Sequence, residues 1–267
     1  VGSTLLRESG IDPAEMLVVP APSAFSLAAA RMGWAQQDTI CLSVHGRAHE
    51  TVVPHLHDGA RILALSWDET SPKRIAELLV AYGMGHSRMT VLEAMGAKRE
   101  RVRRVSAEGF ALEDINPLNT LAIEVVAGPG ARVIPLASGL DDRFFETDGT
   151  MTKRDVRAIT LGSLSPRHGE RLWDVGAGSG SVAIEWLLRH ASLAATAIEP
   201  RADRLALIAR NAASLGVPRL ETVAGEAPAA LVALPRPGAV FIGGGASVPG
   251  VIDACWQALP AGGRLVA

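Results

Sequence analysis

The sequence predicts an α/β protein of two units, the second built on a parallel, doubly wound sheet. Three observations carry this. Short apolar runs alternate with amphipathic stretches along the 267 residues. A glycine-rich turn, Gly176–Gly180, separates an apolar strand from an amphipathic helix. Gly128–Leu140 carries Gly and Pro without periodicity, so it reads as a linker between a unit over 1–127 and one over 141–267.

In the first unit, Met16–Pro20 is a short apolar run. Ser23–Met32 is Ala-rich and helical, with Ser23 as N-cap. Thr39–Val44 reads as a strand and Ala48–Leu56 as a short helix that Pro54 ends. Arg61–Ser66 is a strand. Ser71–Tyr82 is a helix with Pro72 in its first turn, stopped by Gly83 and Gly85. Arg88–Glu93, Arg101–Ser106 and Asn119–Val126 are further strands.

In the second unit, Thr152–Leu164 is predicted to be a helix, with Thr152 as N-cap and Asp155 three residues on. Arg171–Val175 is a strand and Ser181–Arg189 a helix. Ala194–Glu199 and Leu220–Ala224 are strands flanking the helix Arg201–Leu215, which Gly216 ends. Ala227–Leu234 is expected as a short helix, Ala239–Gly243 as a strand and Val248–Ala258 as a helix. Gly263–Ala267 reads as a strand just starting. Strand–helix repeats of this kind build a parallel sheet.

Composition removes several classes. Hydrophobic residues make up 48% and charged residues 20%, which is globular rather than disordered. A net charge of −2 and 4% aromatics argue against a nucleic-acid binder. Residues 1–127 are net −3 and residues 128–267 net +1, so neither field names a partner. Cys41 and Cys255 cannot form a disulfide framework, which makes a reducing cytoplasm the expected setting. The uncharged stretches Met16–Ala30 and Gly238–Ile252 are short for a membrane helix and contain Pro, and Arg7 and Glu8 interrupt the first apolar run against a signal peptide. No repeat or low-complexity tract is evident. Val1 at the start and the strand begun at the end suggest a fragment cut at both ends.

The sharpest signal is Asp174-Val-Gly-Ala-Gly-Ser-Gly-Ser181. Its glycines allow a tight turn and close approach of a ligand to backbone at a helix N-terminus. Glu199 closes the next strand, where an acid accepts hydrogen bonds from ribose hydroxyls. Glu226 follows the third strand, in place to sit beside an adenine. The dinucleotide fingerprint G-x-G-x-x-G is not met, since Ser181 occupies its third Gly position. The G-x-G-x-G spacing, with Asp two residues before it, resembles the first motif of S-adenosylmethionine (SAM)-dependent methyltransferases. A dinucleotide site and a merely structural turn are the other readings of the same residues.

The resemblance extends further. Arg171-Leu-Trp-Asp-Val-Gly-Ala-Gly-Ser-Gly-Ser-Val-Ala-Ile-Glu185, with Asp148–Arg154 upstream and Val240–Gly245 downstream, resembles the C15-methylating, decarboxylating domain of cobalamin biosynthesis. Pro20–Trp34 and Leu42-Ser-Val-His-Gly-Arg47 resemble the C5-methylating tetrapyrrole methylase domain. Fused, the halves are similar to the precorrin-6Y C5,15-methyltransferase (decarboxylating) family. The implied fold is a partial tetrapyrrole-methylase subdomain followed by a Rossmann-like, SAM-dependent methyltransferase domain. In that pattern the first methylase lacks its earlier Gly-rich subdomain, and the second lacks part of its sheet.

Carried onto this sequence, the resemblance implies SAM contacts from Thr152, from Gly176, Ala177, Gly178, Ser179 and Gly180, from Glu199, and from Glu226 and Ala227. Asp174 is expected to orient the Gly loop. The implied substrate is a carboxylate-rich reduced tetrapyrrole whose ring carbon is the nucleophile, so no catalytic residue is named. Lys153, Arg154 and Arg157 are candidates for its carboxylates, beside the reading of a solvated helix face. Gly243, Gly244 and Gly245 either leave room for a flat substrate or make a tight turn. A homo-oligomer is expected by analogy, with neither nucleic acid nor membrane as partner. Rival functions are an NAD-dependent oxidoreductase, a nucleic-acid methyltransferase and a non-catalytic SAM-binding module.

Other features carry less. His45, His49, His55 and His57 cluster, and His45 and His49 have i,i+4 spacing, but without HExxH or a Cys pair no metal is expected. His45 and Arg47 are expected at a strand end near the first methylase site, as the resemblance implies. Lys98–Arg104 is basic and reads as an exposed strand. Trp173, Trp186 and Cys255 read as core.

Overall fold

The computed structural model describes residues 8–17 and 19–267. The readings that rest on residues 1–7, and on Val18 within the Met16–Pro20 run, lie outside those residues. Two five-stranded sheets organise the described residues.

The first sheet has the order β1-β2-β5-β3-β4, from β1 (Ile40–Ser43), β2 (Arg61–Leu65), β3 (Arg88–Glu93), β4 (Arg101–Ser106) and β5 (Asn119–Glu124). Only β1 and β2 pair in parallel; β2 with β5, β5 with β3, and β3 with β4 are antiparallel. No helix separates β3, β4 and β5, so antiparallel return is the short connection. Helices α1 (Ala24–Met32) and α2 (Ser71–Ala81) belong to the same unit. The Ser23 hydroxyl caps α1 by accepting from the Ser26 N–H at 3.1 Å. Residues 49–55 form a 3-10 helix rather than an α-helix, with Pro54 inside it.

Strand β4 is a sheet edge. Its Arg101 and Arg103 both donate to the buried Glu93 carboxylate, at 2.7 Å and 2.8 Å. Two of the basic side chains in the 98–104 stretch are therefore tied to one carboxylate within the sheet.

The second sheet has the order β10-β9-β6-β7-β8, with every pairing parallel. Its strands are β6 (Arg171–Val175), β7 (Ala194–Glu199), β8 (Glu221–Ala224), β9 (Ala239–Ile242) and β10 (Arg264–Val266). Helices α3 (Arg154–Leu164), α4 (Ser181–Arg189), α5 (Ala202–Ser214) and α6 (Val251–Ala258) cover it. From β6 the chain runs outward through β7 and β8, then returns to the other side of β6 as β9. That reversal opens a crevice at the carboxyl ends of the strands, where ligands bind in such sheets.

Three boundaries differ from expectation. Helix α3 starts at Arg154, two residues late, with no side-chain cap. Thr152 is therefore not its N-cap: the Thr152 carbonyl is held outside the helix by Arg157 Nη1 at 2.5 Å. Residues 227–234 contain only a 3-10 turn, Ala229–Leu231, after Pro228. Helix α6 starts at Val251 because Gly250, at φ 82°, breaks the pattern.

The two sheets share one apolar core. The Tyr82 hydroxyl donates to the Ser214 carbonyl, and Gly216 packs so tightly on Pro54 that a Cβ there would overlap the ring. The segment 128–140 is docked at both ends. The Gly128 N–H donates to the Gly83 carbonyl at 2.9 Å, the Gly139 N–H to Glu185 at 2.7 Å, and Ile134 and Leu140 are buried.

Candidate functional site

A cleft of about 770 Å³ opens at the carboxyl ends of β6, β7 and β9. That size suits a small-molecule site. Its floor is made by two interlocked loops. The Gly243 N–H after β9 donates to the Val175 carbonyl of β6 at 2.9 Å. Gly176 turns with φ 69°, and a Cβ there would lie 2.9 Å from the Gly244 backbone N and O. A residue larger than glycine would force these loops apart.

Asp174 and Glu199 fix the loop ends in different ways. Asp174 Oδ2 accepts from the Ala183 N–H at 3.1 Å. That N–H is one of the unsatisfied donors in the first turn of α4. Asp174 thus anchors the helix, whereas the sequence reading expected it to orient the Gly loop. Glu199 does the orienting: Oε2 accepts from the Gly178 N–H at 3.0 Å and Oε1 from the Arg201 N–H at 3.2 Å. Both carboxyls are buried. Asp174 Oδ1 has no hydrogen-bond partner. Burial pushes the Asp174 pKa up to about 7; the Ala183 N–H opposes this and the Glu199 charge adds to it.

The opposite wall is residues 150–153. Asp148 straps this segment to α5, pairing with Arg204 Nε at 2.8 Å and Arg201 Nη1 at 3.6 Å. The Arg204 hydrogen bond holds the Asp148 carboxyl below its usual range.

The cleft brings together Thr152, Lys153, Gly176, Ala177, Gly178, Glu199, Glu226, Ala227, Gly243, Gly244 and Gly245. It does not include Ser179, Gly180 or Arg154. Ser179 is buried behind the loop, where its carbonyl accepts from Asn211 Nδ2 at 3.0 Å. Gly180 leads into α4 against Ile208. Arg154 is turned to the Gly139 carbonyl at 3.1 Å. Arg157 is fully buried and paired with Glu185, which removes it as a carboxylate receptor.

Sequence reasoning missed Val156, Arg204, Phe241 and Val248, which also line the cleft. Arg204 had a readable signal, since it lies one turn into the helix that follows the acidic strand end. The other three had none, because their periodicity reads equally as core.

Among the histidines, His49 Nε2 lies 3.0 Å from the buried Ser71 hydroxyl and His57 Nε2 3.2 Å from the Pro54 carbonyl. No cluster of three or more His, Cys, Asp or Glu suited to a metal ion occurs among the described residues. No helix among them is long and apolar enough to cross a membrane. Trp173, Trp186 and Cys255 are buried, and Cys41 is exposed.

Comparison with known proteins adds to this geometry. Residues 143–267 match the model of the precorrin methyltransferase domain. A Sinorhizobium protein named precorrin-6Y C(5,15)-methyltransferase [decarboxylating] is 55% identical over 267 residues, covering 100% of this chain and 64% of that protein. A Saccharolobus solfataricus protein named "Probable cobalt-precorrin-6B C(15)-methyltransferase (decarboxylating)" is 36% identical over 140 residues, covering 50% of this chain and 69% of that protein. A crystal structure of the C-terminal domain of precorrin-6Y C5,15-methyltransferase from Rhodobacter capsulatus is 47% identical, covers 49% of this chain and 71% of that one, and has a TM-score of 0.46. The chain spans 64% of the length of the Sinorhizobium relative.

The parallel sheet, its glycine turn and the acids at successive strand ends define a Rossmann-like methyltransferase unit. Its relatives share one chemistry in their names. The chain belongs to the precorrin methyltransferase family.

Proposed function

We propose that the chain methylates a precorrin, using SAM, and removes carbon dioxide from an acetate side chain, as part of cobalamin biosynthesis. The observation that carries this is the cleft itself, which joins an acid-lined glycine loop to an apolar recess with a basic rim.

The acidic half fits SAM. Asp174, Glu199 and Glu226 line it, complementing a ligand that bears positive charge. The unpartnered Asp174 Oδ1 is a buried acceptor awaiting a donor. In this reading Gly176, Ala177, Gly178 and Thr152 seat the ligand, Glu199 accepts from its ribose, and Glu226 and Ala227 border its base. When bound, SAM supplies an electrophilic methyl group on a sulfonium.

The other half suits a flat ring with a carboxylate fringe. Val156 and Val248 are apolar and more than 40% exposed, and Phe241 lies deeper in the same recess. They bind the ring face and exclude water from the reacting carbon. Gly244 leaves open space in front of it. Lys153 and Arg204 line the cleft and receive carboxylates. A ring carbon of enamine character would take the methyl group as its bond to sulfur breaks and S-adenosylhomocysteine leaves, so the protein supplies no nucleophile and acts by positioning. Loss of carbon dioxide leaves its electron pair in the conjugated ring.

The first unit is read as the C5-methylating half, with His45 and Arg47 following β1. A homo-oligomer is read by analogy with domains of this kind. The unpaired Cys41 and Cys255 suit a reducing cytoplasm.

The test is incubation with a reduced tetrapyrrole carboxylate and methyl-labelled SAM, read by mass spectrometry. Labelled product that has lost carbon dioxide is expected. Label transferred to nucleic acid instead, or hydride transfer with a nicotinamide cofactor, would overturn the reading.

A further inference from the structure

Arg157 is fully buried behind the 150–153 wall of the cleft. Its Nε donates to Glu185 Oε1 at 2.5 Å, and its Nη2 donates to the Leu140 carbonyl. Its Nη1 donates to the Thr152 carbonyl at 2.5 Å and to Asp142 Oδ1 at 3.2 Å. The guanidinium lies 4.7 Å from the centre of the Phe145 ring. Every arm of the planar fork is engaged, and one arm ends on a residue that lines the cleft.

Such a site is costly to build, because burying an ion pair gains little net stability over well-packed apolar residues. Holding α3 against α4 would not by itself demand it. What an apolar pair cannot do is fix the direction of the Thr152 carbonyl. That bond keeps residues 150–153 extended instead of letting α3 wind back to Thr152.

We propose that Arg157 is a positioning residue of the methyl-donor cleft. Through the Thr152 carbonyl it fixes the wall that Thr152 and Lys153 present to the ligand. This rests on the reading of the cleft as a SAM site. A lysine at 157 would keep the Glu185 pairing but, with three donors on one nitrogen, lacks the fork that reaches four oxygens at once.

The experiment compares Arg157→Lys with Leu161→Ala, a core truncation in the same helix away from the cleft. Amide hydrogen exchange of residues 150–153 and calorimetric titration with S-adenosylhomocysteine are measured well below both melting temperatures. Exchange there should quicken at least about tenfold in Arg157→Lys, with a dissociation constant raised about tenfold. Leu161→Ala should leave both within twofold. Should Arg157→Lys fail to fold, Asp142→Ala, which removes one partner at a part-exposed position, should raise exchange and dissociation constant about threefold. Unchanged exchange and affinity in a folded Arg157→Lys, equal effects in Leu161→Ala, or a silent Asp142→Ala would overturn the proposal. Wild-type protein that fails to bind S-adenosylhomocysteine overturns the donor reading instead, and hydrogen exchange still decides whether Arg157 fixes the wall.

Discussion

Glu199 accepts the Gly178 N–H at 3.0 Å, so the acid that ends β7 holds the glycine loop that ends β6. The loop is set before any ligand arrives, and no ordering cost falls on binding. Glu199→Ala strips a buried N–H of its acceptor, which costs about 1–3 kcal/mol. A thermal scan should show a lower Tm, with faster hydrogen exchange at 176–178. An unchanged Tm and unchanged exchange would mean the bond does not order the loop.

Asp174 gives stability an unusual dependence on pH. Its folded pKa of about 7 lies above its ordinary 3.8, so between these values the folded state binds more protons than the unfolded state. Its contribution therefore favours folding at pH 4 and is lost as pH rises to about 7, on the order of a few kcal/mol. Asp174→Asn removes the titration. Denaturant unfolding from pH 4 to 8 should show the variant gaining on wild type toward pH 8. Parallel profiles for the two would contradict the assignment.

Gly176→Ala meets two obstacles, a φ of 69° and backbone atoms at 2.9 Å. The expected loss is about 2–4 kcal/mol, combining strain with displacement of the loop after β9. Gly244→Ala, with nothing within 4 Å of its Cβ, should be tolerated for folding. Denaturant midpoints of the pair measure the contrast, and equal effects would refute the interlocked floor.

Asp148→Asn should release the strap over the cleft while sparing the core. Exposed ion pairs contribute little to stability, about 0–1 kcal/mol. The variant should therefore melt within about 2 °C of wild type yet bind S-adenosylhomocysteine severalfold more weakly. Unchanged affinity would show that the Arg204 pairing does not hold the wall.

What the sequence disclosed was local. The Ser23 cap, the Gly176–Gly180 turn and the acid at Glu199 each follow from a residue's own conformational or hydrogen-bonding demand, and each stands where its pattern placed it. The misplaced features depend on partners distant in sequence. Thr152 has the chemistry of an N-cap, but Arg157 draws its carbonyl out of the helix. Arg157 looks like a surface cation until α4 and the 139–142 segment close over it, while Arg154 stays exposed and is drawn to the Gly139 carbonyl. The antiparallel pairing of β3, β4 and β5 leaves no mark in the individual strands, and only the missing helices between them hint at it. Arg204 enters the cleft because α5 starts beside Glu199, a relation set by the fold.

The most direct measurement is calorimetric titration of the chain with S-adenosylhomocysteine and, separately, with NAD, repeated on Glu199→Ala. The account expects micromolar binding of S-adenosylhomocysteine, weakened at least about tenfold in the variant, and no heat with NAD. Binding of NAD alone by the folded chain would contradict it and make the glycine loop a dinucleotide site.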